Sequence, residues 1–264
     1  MNKDSKIIME KWSIMSPNGY GLHKCIAPET HDCNVVNILR LNIKKGDTFK
    51  LKSNELEMNA VLIKGHAKVS NRDLNEEMDK LDAFYIPGNS DILIESMEDT
   101  IFYIGAAICE GYGKTFFRKF NKYLELGNIH QIHGKGAGQR EVFFTLNPEV
   151  PSSRLLCGLT WGQDGGWTSW PPHQHENDLE EVYCYFDMDY PKFGMHLSYL
   201  NSGEFNEIVS HVVQSGSMVL APKGYHPTVA SPGTINTYFW VLAAHSHKSR
   251  RYDLAIADPK IIID

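Results

Sequence analysis

The 264-residue sequence contains no apolar run approaching the roughly 20 residues that cross a bilayer, which argues against a helical membrane protein. It also lacks a basic excess. Its 26 Lys and Arg against 32 Asp and Glu leave a formal charge of −6, so nucleic acid is not expected as the main partner. Cysteine is sparse and unpaired in pattern: Cys25, Cys33, Cys109, Cys157 and Cys184 are odd in number and none has CxxC spacing. That disfavours a disulfide scaffold and a structural zinc finger. The opening MNKDSKIIMEKW carries no apolar block of a secretory signal, and the expected compartment is a reducing cytoplasm. The Gly-rich stretch HGKGAGQREV at 133–142 lacks P-loop order and reads as a linker.

What is present is a succession of short strand signals. After an irregular arm with one or two short strands over residues 1 to about 34, NVVNILRLNI, DTFKLK, NAVLIKGHAKVS, LDAFYIPGNSDILIES and DTIFYIGAAI alternate apolar runs with Gly, Pro and Asn turns. Strands with turns at intervals of about 8–12 residues indicate an all-β sandwich or barrel. Lys114 to Leu126 reads as a short helix or a connecting arm. The later chain echoes the earlier one: AFYIPGNSDILI at 83–94 matches MVLAPKGYHPTV at 218–229, and DTIFYIGAA at 99–107 matches INTYFWVLAA at 235–244. Two copies of one β domain follow, divided as 1–125 and 126–264. The first copy carries Asn89, Ser90 and Asp91 where the second has His226, so only the second is armed.

The chemistry concentrates in GWTSWPPHQHENDLEEVYCYF at 166–186. In an extended strand alternate side chains share a face, so His173 and His175 can address one centre while Gln174 turns away. Imidazole with carboxylate suits zinc, manganese or iron(II). The Glu180–Glu181 pair and His226 in the later strand-turn-strand supply the rest of a four-ligand set. Glu181 is the preferred carboxylate ligand, with Glu180 in reserve. Glu181 would share its face with Tyr183 and Tyr185, leaving Val182, Cys184 and Phe186 for an apolar packing layer. The second His-x-His, His245 and His247, lacks a following acid and sits beside Lys248, Arg250 and Arg251; it reads as a solvated basic segment. His130 and His133 are left out of the metal site.

GGWTSWPPHQH, LEEVYCYF and APKGYHPTVASPG resemble the motifs of the 5-deoxy-glucuronate isomerase family. Between His175 and Glu180, where that family usually carries a longer, proline-containing insert, this chain has only ENDL, and HENDLEEVYCYFDMD also looks like the corresponding segment of the sister family of 5-dehydro-4-deoxy-glucuronate isomerases. The resemblance implies a bicupin: two tandem jelly-roll (double-stranded β-helix) barrels with few short helices. It implies His173, His175, Glu181 and His226 as ligands of a divalent ion, zinc foremost. It also implies aldose–ketose isomerisation of a sugar acid. Charge and hydropathy point to no nucleic acid or membrane partner, and the exposed strand edges of such sandwiches lead to the expectation of a homo-oligomer. Glu180, Tyr183, Tyr185 and Tyr225 stand as proton-transfer candidates, and Lys223, Arg154 and Arg140 as cations for the substrate carboxylate. A non-catalytic sugar-binding bicupin and a metal-dependent dioxygenase share the same corner and are the alternatives.

Overall fold

The computed structural model describes residues 3–203 and 205–261. Among them it holds one α-helix, Lys3–Glu10, three short 3-10 turns and otherwise strands. No described helix is long and apolar enough to cross a membrane. The strands form where apolar residues alternate. In Asp91–Ser96 every second side chain is buried, and Ile92 and Ile94 point inward.

The earlier half is a six-stranded sheet facing a four-stranded one. The large sheet runs Phe116–Arg118, Ala83–Ile86, Leu56–Lys64, Thr100–Ile108, Asn37–Ile43 and Gly21–Ile26. The later half repeats that order. Its large sheet runs Ser13–Met15, Ser217–Ala221, Leu179–Tyr185, Ile235–Ala244, Leu155–Asp164, Arg140–Leu146 and His130–His133, again opposite a four-stranded sheet. In neither half do the two sheets join edge to edge, so each jelly roll is an open sandwich rather than a closed barrel. The fold is the bicupin expected from the motifs.

Register makes the two halves superimposable in words. Met58 pairs with Ile86 on one side and Ala106 on the other. Glu181 occupies the same node, between Ala221 and Leu242. The interior of the earlier half is filled by Leu41, Leu62, Phe84, Ile92, Phe102 and their neighbours. The corresponding interior of the later half carries Tyr183, Tyr185, Tyr238 and Trp240, and so retains polar hydroxyls.

The outer faces of the two large sheets pack against each other. Val61, Tyr85 and Tyr103 of one meet Cys157, Val182 and Phe239 of the other in a continuous apolar layer. The approach is close at the centre, where a Cβ on Gly105 would lie 2.6 Å from a Val241 methyl. Two buried carboxylates clamp this layer reciprocally. Glu57 accepts backbone N–H bonds from Ser153, Arg154 and Leu155 at 2.6–2.8 Å, with a fourth from the Tyr85 hydroxyl at 2.7 Å. Glu180 accepts from the amides of Asn34, Val35 and Val36 at 2.6–3.0 Å, and from the Asn34 side chain.

Two expectations are sharpened at this level and one, for the segment after Ala244, changes. The arm before residue 34 is ordered: a short helix leads to Ser13–Met15, which pairs with Ser217–Ala221 and so crosses the 1–125 and 126–264 division. Met9 and Trp12 anchor it in the layer between the halves. Lys114 to Leu126 is a connecting arm whose Phe116–Arg118 extends the earlier sheet, its phenylalanines pairing more usefully there than in a helix. The segment after Ala244 is not a solvated basic tail. Arg250 donates to the carbonyls of Leu155, Pro148, Asn147 and Val150, and His247 stacks on Tyr112 at 3.9 Å.

Replacing Glu57 or Glu180 by Ala strands three amides in a buried layer. At roughly 1–3 kcal/mol for each unsatisfied buried donor, either change is expected to cost several kcal/mol. Thermal and urea unfolding check this. Comparable losses from Glu57→Ala, remote from the histidines, and from Glu180→Ala are the expected result.

Candidate metal centre

His173, His175, Glu181 and His226 come together in the later sandwich, with one ligand atom from each lying within 4.8 Å of the others. His173 belongs to the short strand His173–Gln174, paired with Ile256–Ala257 near the C-terminus. One residue on, His175 returns to the same side, and the rings of His173 and His175 are 6.1 Å apart. Glu181 projects inward from Leu179–Tyr185. His226 follows a turn that only glycine fits: Gly224 has φ +72°, and a Cβ there would come within 2.5 Å of the Tyr199 carbonyl. Glu176, in the loop after His175, accepts from the Gly224 amide at 2.9 Å and ties the two ligand-bearing loops together.

The tautomers follow from the partners. Nδ1 of His173 lies 3.0 Å from the Pro171 carbonyl, Nδ1 of His175 lies 3.1 Å from that of Leu179, and Nδ1 of His226 lies 3.0 Å from that of Gly224. A carbonyl only accepts, so each neutral imidazole carries its proton on Nδ1 and presents a bare Nε2 to the centre. Nε2 of His175 and of His226 stand 3.0 and 3.1 Å from the same Glu181 oxygen. The His226 contact lacks hydrogen-bond geometry, and its buried Nε2 has no partner. Lone pairs facing a carboxylate at that range repel unless a cation lies between them. The donor set fits a divalent ion, three imidazole nitrogens and one carboxylate oxygen.

The electrostatics agree. Burial first, then the rings of His226 and His175, push the His173 imidazole down to about 3, which keeps it neutral at physiological pH. Burial alone would raise the Glu181 carboxyl, but hydrogen bonding and positive charge from the His175 and His226 side hold it below the usual carboxylate range, so a proton or a cation must lie between those nitrogens and the carboxylate. Burial also raises the Tyr183 hydroxyl well above its ordinary value, with the Glu181 charge adding to it, so this group remains a proton donor.

The remaining candidates scatter. Glu180 faces the opposite side of its strand and is consumed by the clamp, because adjacent residues of a strand point apart. Tyr183 stays at the site, its hydroxyl donating to Ser169 at 3.1 Å. Tyr185 is deeper, bonded to Thr228 and His196. Tyr225 stacks on Tyr199 at 5.0 Å, outside the cavity lining. Lys223 pairs with Asp32 at 3.2 Å on the surface, and Arg154 pairs with Glu110 and the Ala244–His245 carbonyls. Arg140 alone of the three cations reaches the site, its guanidinium held by the Trp170 carbonyl at 2.7 Å.

A cavity of about 250 Å³ opens beside the ligands. Arg140, His133, Tyr252 and Leu179 line it with His173, His175 and Glu181, and Ala255 and Ala257 of the C-terminal segment close one wall. His133 and Tyr252 escaped the sequence reading: one lies in a linker-like stretch and the other in the basic tail. The only available signal was that His133 and Arg140 bracket one Gly-rich loop and pair across a hairpin.

Two stacked β-sandwiches, the second enclosing a three-histidine, one-carboxylate cluster that could hold a metal ion, define a bicupin. Residues 11–260 match the model of the KduI/IolB family, and the chain belongs to that family. It is 30% identical over 246 residues to the 5-deoxy-glucuronate isomerase of Geobacillus kaustophilus (strain HTA426), covering 86% of each chain. It is 28% identical over 249 residues to the enzyme of that name from Geobacillus thermodenitrificans (strain NG80-2), covering 88% of each. Among solved structures, an IolB-like protein of Salmonella typhimurium LT2 superposes with TM-score 0.80 at 22% identity, over 94% of this chain and 96% of that one. A variant of Bacillus subtilis oxalate decarboxylase superposes with TM-score 0.61 at 11% identity, over 94% and 79%. These last two likenesses concern the fold.

Two outcomes follow. Zinc or manganese added to chelator-treated protein is expected to raise the melting temperature, and Glu181→Ala to abolish the response; scanning fluorimetry reads both. In the metal-free chain, His173 titrates near 3 when folded against an ordinary 6.5. The unfolded state therefore binds more protons between those values, and stability falls as pH drops from about 6.5 toward 3. Urea unfolding at pH 7 and pH 5 should show that loss, reduced in His173→Gln.

Proposed function

We propose that this protein is a metal-dependent aldose–ketose isomerase that converts 5-deoxy-D-glucuronate to 5-dehydro-2-deoxy-D-gluconate in myo-inositol catabolism. One observation carries the reading: the bare-nitrogen cluster opens directly onto a cavity that also presents Arg140. Relatives named for this isomerisation, aligned over most of the chain, support it. Zinc is the expected ion, and such an ion supplies Lewis-acid stabilisation of the oxyanion that develops on the sugar.

The chain's own groups do the rest. Arg140, fixed by the Trp170 carbonyl, offers its remaining donors to the substrate carboxylate. His133 is the proton acceptor. Its Nε2 lies 2.7 Å from the Gln131 side-chain oxygen, which leaves Nδ1 bare, and burial followed by the Arg140 charge lowers its pKa, so it is neutral at physiological pH. The proton leaves the carbon bearing the hydroxyl beside the aldehyde and returns to the former aldehyde carbon. The hydroxyl proton passes to the other oxygen, and no net atoms are gained or lost. Tyr183, held protonated, donates at the oxygen end. Apolar walls from Leu179 and Leu242 keep bulk water from the enediol.

Incubating metal-loaded protein with 5-deoxy-D-glucuronate and with 5-dehydro-4-deoxy-D-glucuronate tests the assignment; turnover of neither defeats it. Loss of a charge-assisted contact worth roughly 1.5–3 kcal/mol predicts that Arg140→Ala raises KM about 10- to 100-fold. Arg154→Ala and Lys223→Ala, outside the cavity, should leave KM nearly unchanged. His133→Gln should act on kcat rather than KM, by about 100-fold or more for a lost general base.

A further inference from the structure

A second cleft, about 500 Å³, lies where the two halves meet, away from the metal ligands. Its walls include Arg40, Lys64, Lys80, Tyr103, Asp187 and Asp189. Arg40 sits on Asn37–Ile43 with its side chain in the layer between the halves, beyond Ile38, and is only 5% exposed. The register places Leu159 at the matching node of the later half, inside the apolar cluster. A charge thus stands where the repeat has a hydrocarbon.

No carboxylate among the described residues pairs with it; its Cζ lies 6.0 Å from the centroid of the Tyr103 ring, a contact that leaves the charge uncompensated. Nε of Arg40 donates to the Asn42 side-chain oxygen at 2.9 Å and Nη1 to the Ser16 hydroxyl at 2.9 Å, both neutral acceptors. Those acceptors are themselves fixed: Asn42 donates to the Pro17 and Gly19 carbonyls, and Ser16 to that of Gly216. Nη2 makes no hydrogen bond among the described residues, and Arg40 forms no ion pair there. The acid nearest to serving, Asp187, is held through both oxygens by Lys80 at 2.7 Å. Lys64 stands exposed at the rim, and Asp189 is the one other acid in the lining.

Burying an uncompensated charge is costly, and a guanidinium with two donors pinned and one edge open is preorganised for an oxyanion. We propose that this cleft is a binding site for a small organic oxyanion, a carboxylate or a phosphate monoester, with Arg40 as the primary contact and Lys64 as the rim cation. The site spans both halves, since Phe186, Ser215 and Gly216 of the later half complete its wall. Occupancy therefore stabilises their association.

The test uses the full chain, stripped of metal by chelator so that the histidine cluster contributes no ligand, and reads binding rather than turnover. Its result is thus separable from the fate of the isomerase reading. Inorganic phosphate and D-glucuronate are titrated separately by calorimetry and scanning fluorimetry, with sodium chloride at matched ionic strength as control. Saturable binding of at least one probe, weakened tenfold or more in Arg40→Leu while its circular dichroism spectrum stays native, is expected; which probe binds separates phosphate from carboxylate. Absence of saturable binding for both, or equal binding by Arg40→Leu, overturns the proposal. Should Arg40→Leu fail to fold, Lys64→Gln takes its place: a loss of about threefold supports the site, and unchanged affinity counts against it.

Discussion

Two carboxylates buried between stacked sheets hold this molecule together. Glu57 and Glu180 each reach across to three successive backbone amides of the opposite half, so each sandwich supplies the anion that satisfies the other's strand entry. Charge-assisted bonds to amides in a layer of low polarity are strong and directional. They fix the halves in one relative position where apolar contact alone would tolerate sliding. The close passage of Gly105 over Val241 works to the same end. With that relation fixed, Leu179–Tyr185 can serve two functions at once.

That strand divides its labour residue by residue. Glu180, Val182 and Cys184 look toward the other half; Glu181, Tyr183 and Tyr185 look into the sandwich. The ligand is therefore adjacent to the clamp, and the backbone carrying the metal centre is anchored from behind. The earlier half keeps its clamp and gives up its centre: Met58 occupies the node of Glu181 amid aliphatic packing. One filled interior thus backs the other, which encloses the candidate site.

Much of this was legible in the sequence. Alternation around Glu181 separated the two faces of the strand, and repeated proline turns exposed the duplication, because both signals are local. The partners that redirect individual side chains are not local. Glu180 finds its amides 146 residues away, and Lys223 and Arg154 are claimed by Asp32 and Glu110 through tertiary contact. Periodicity carries no trace of such pairings. The C-terminal segment that walls the cavity contributes only the two-residue strand Ile256–Ala257, too short for any pattern. His133 was passed over for a related reason, since a histidine in a Gly-rich stretch acquires meaning only once the hairpin brings Arg140 beside it.

The placement of Ser13–Met15 sets an order of events. The strand these residues pair with, Ser217–Ala221, is synthesised some two hundred positions after them. Until then the arm has no ladder, and Met9 and Trp12 have no completed layer to enter. The earlier segment must wait for the later one, and a nascent chain stalled before Ser217–Ala221 keeps an open edge where Ser13–Met15 would pair.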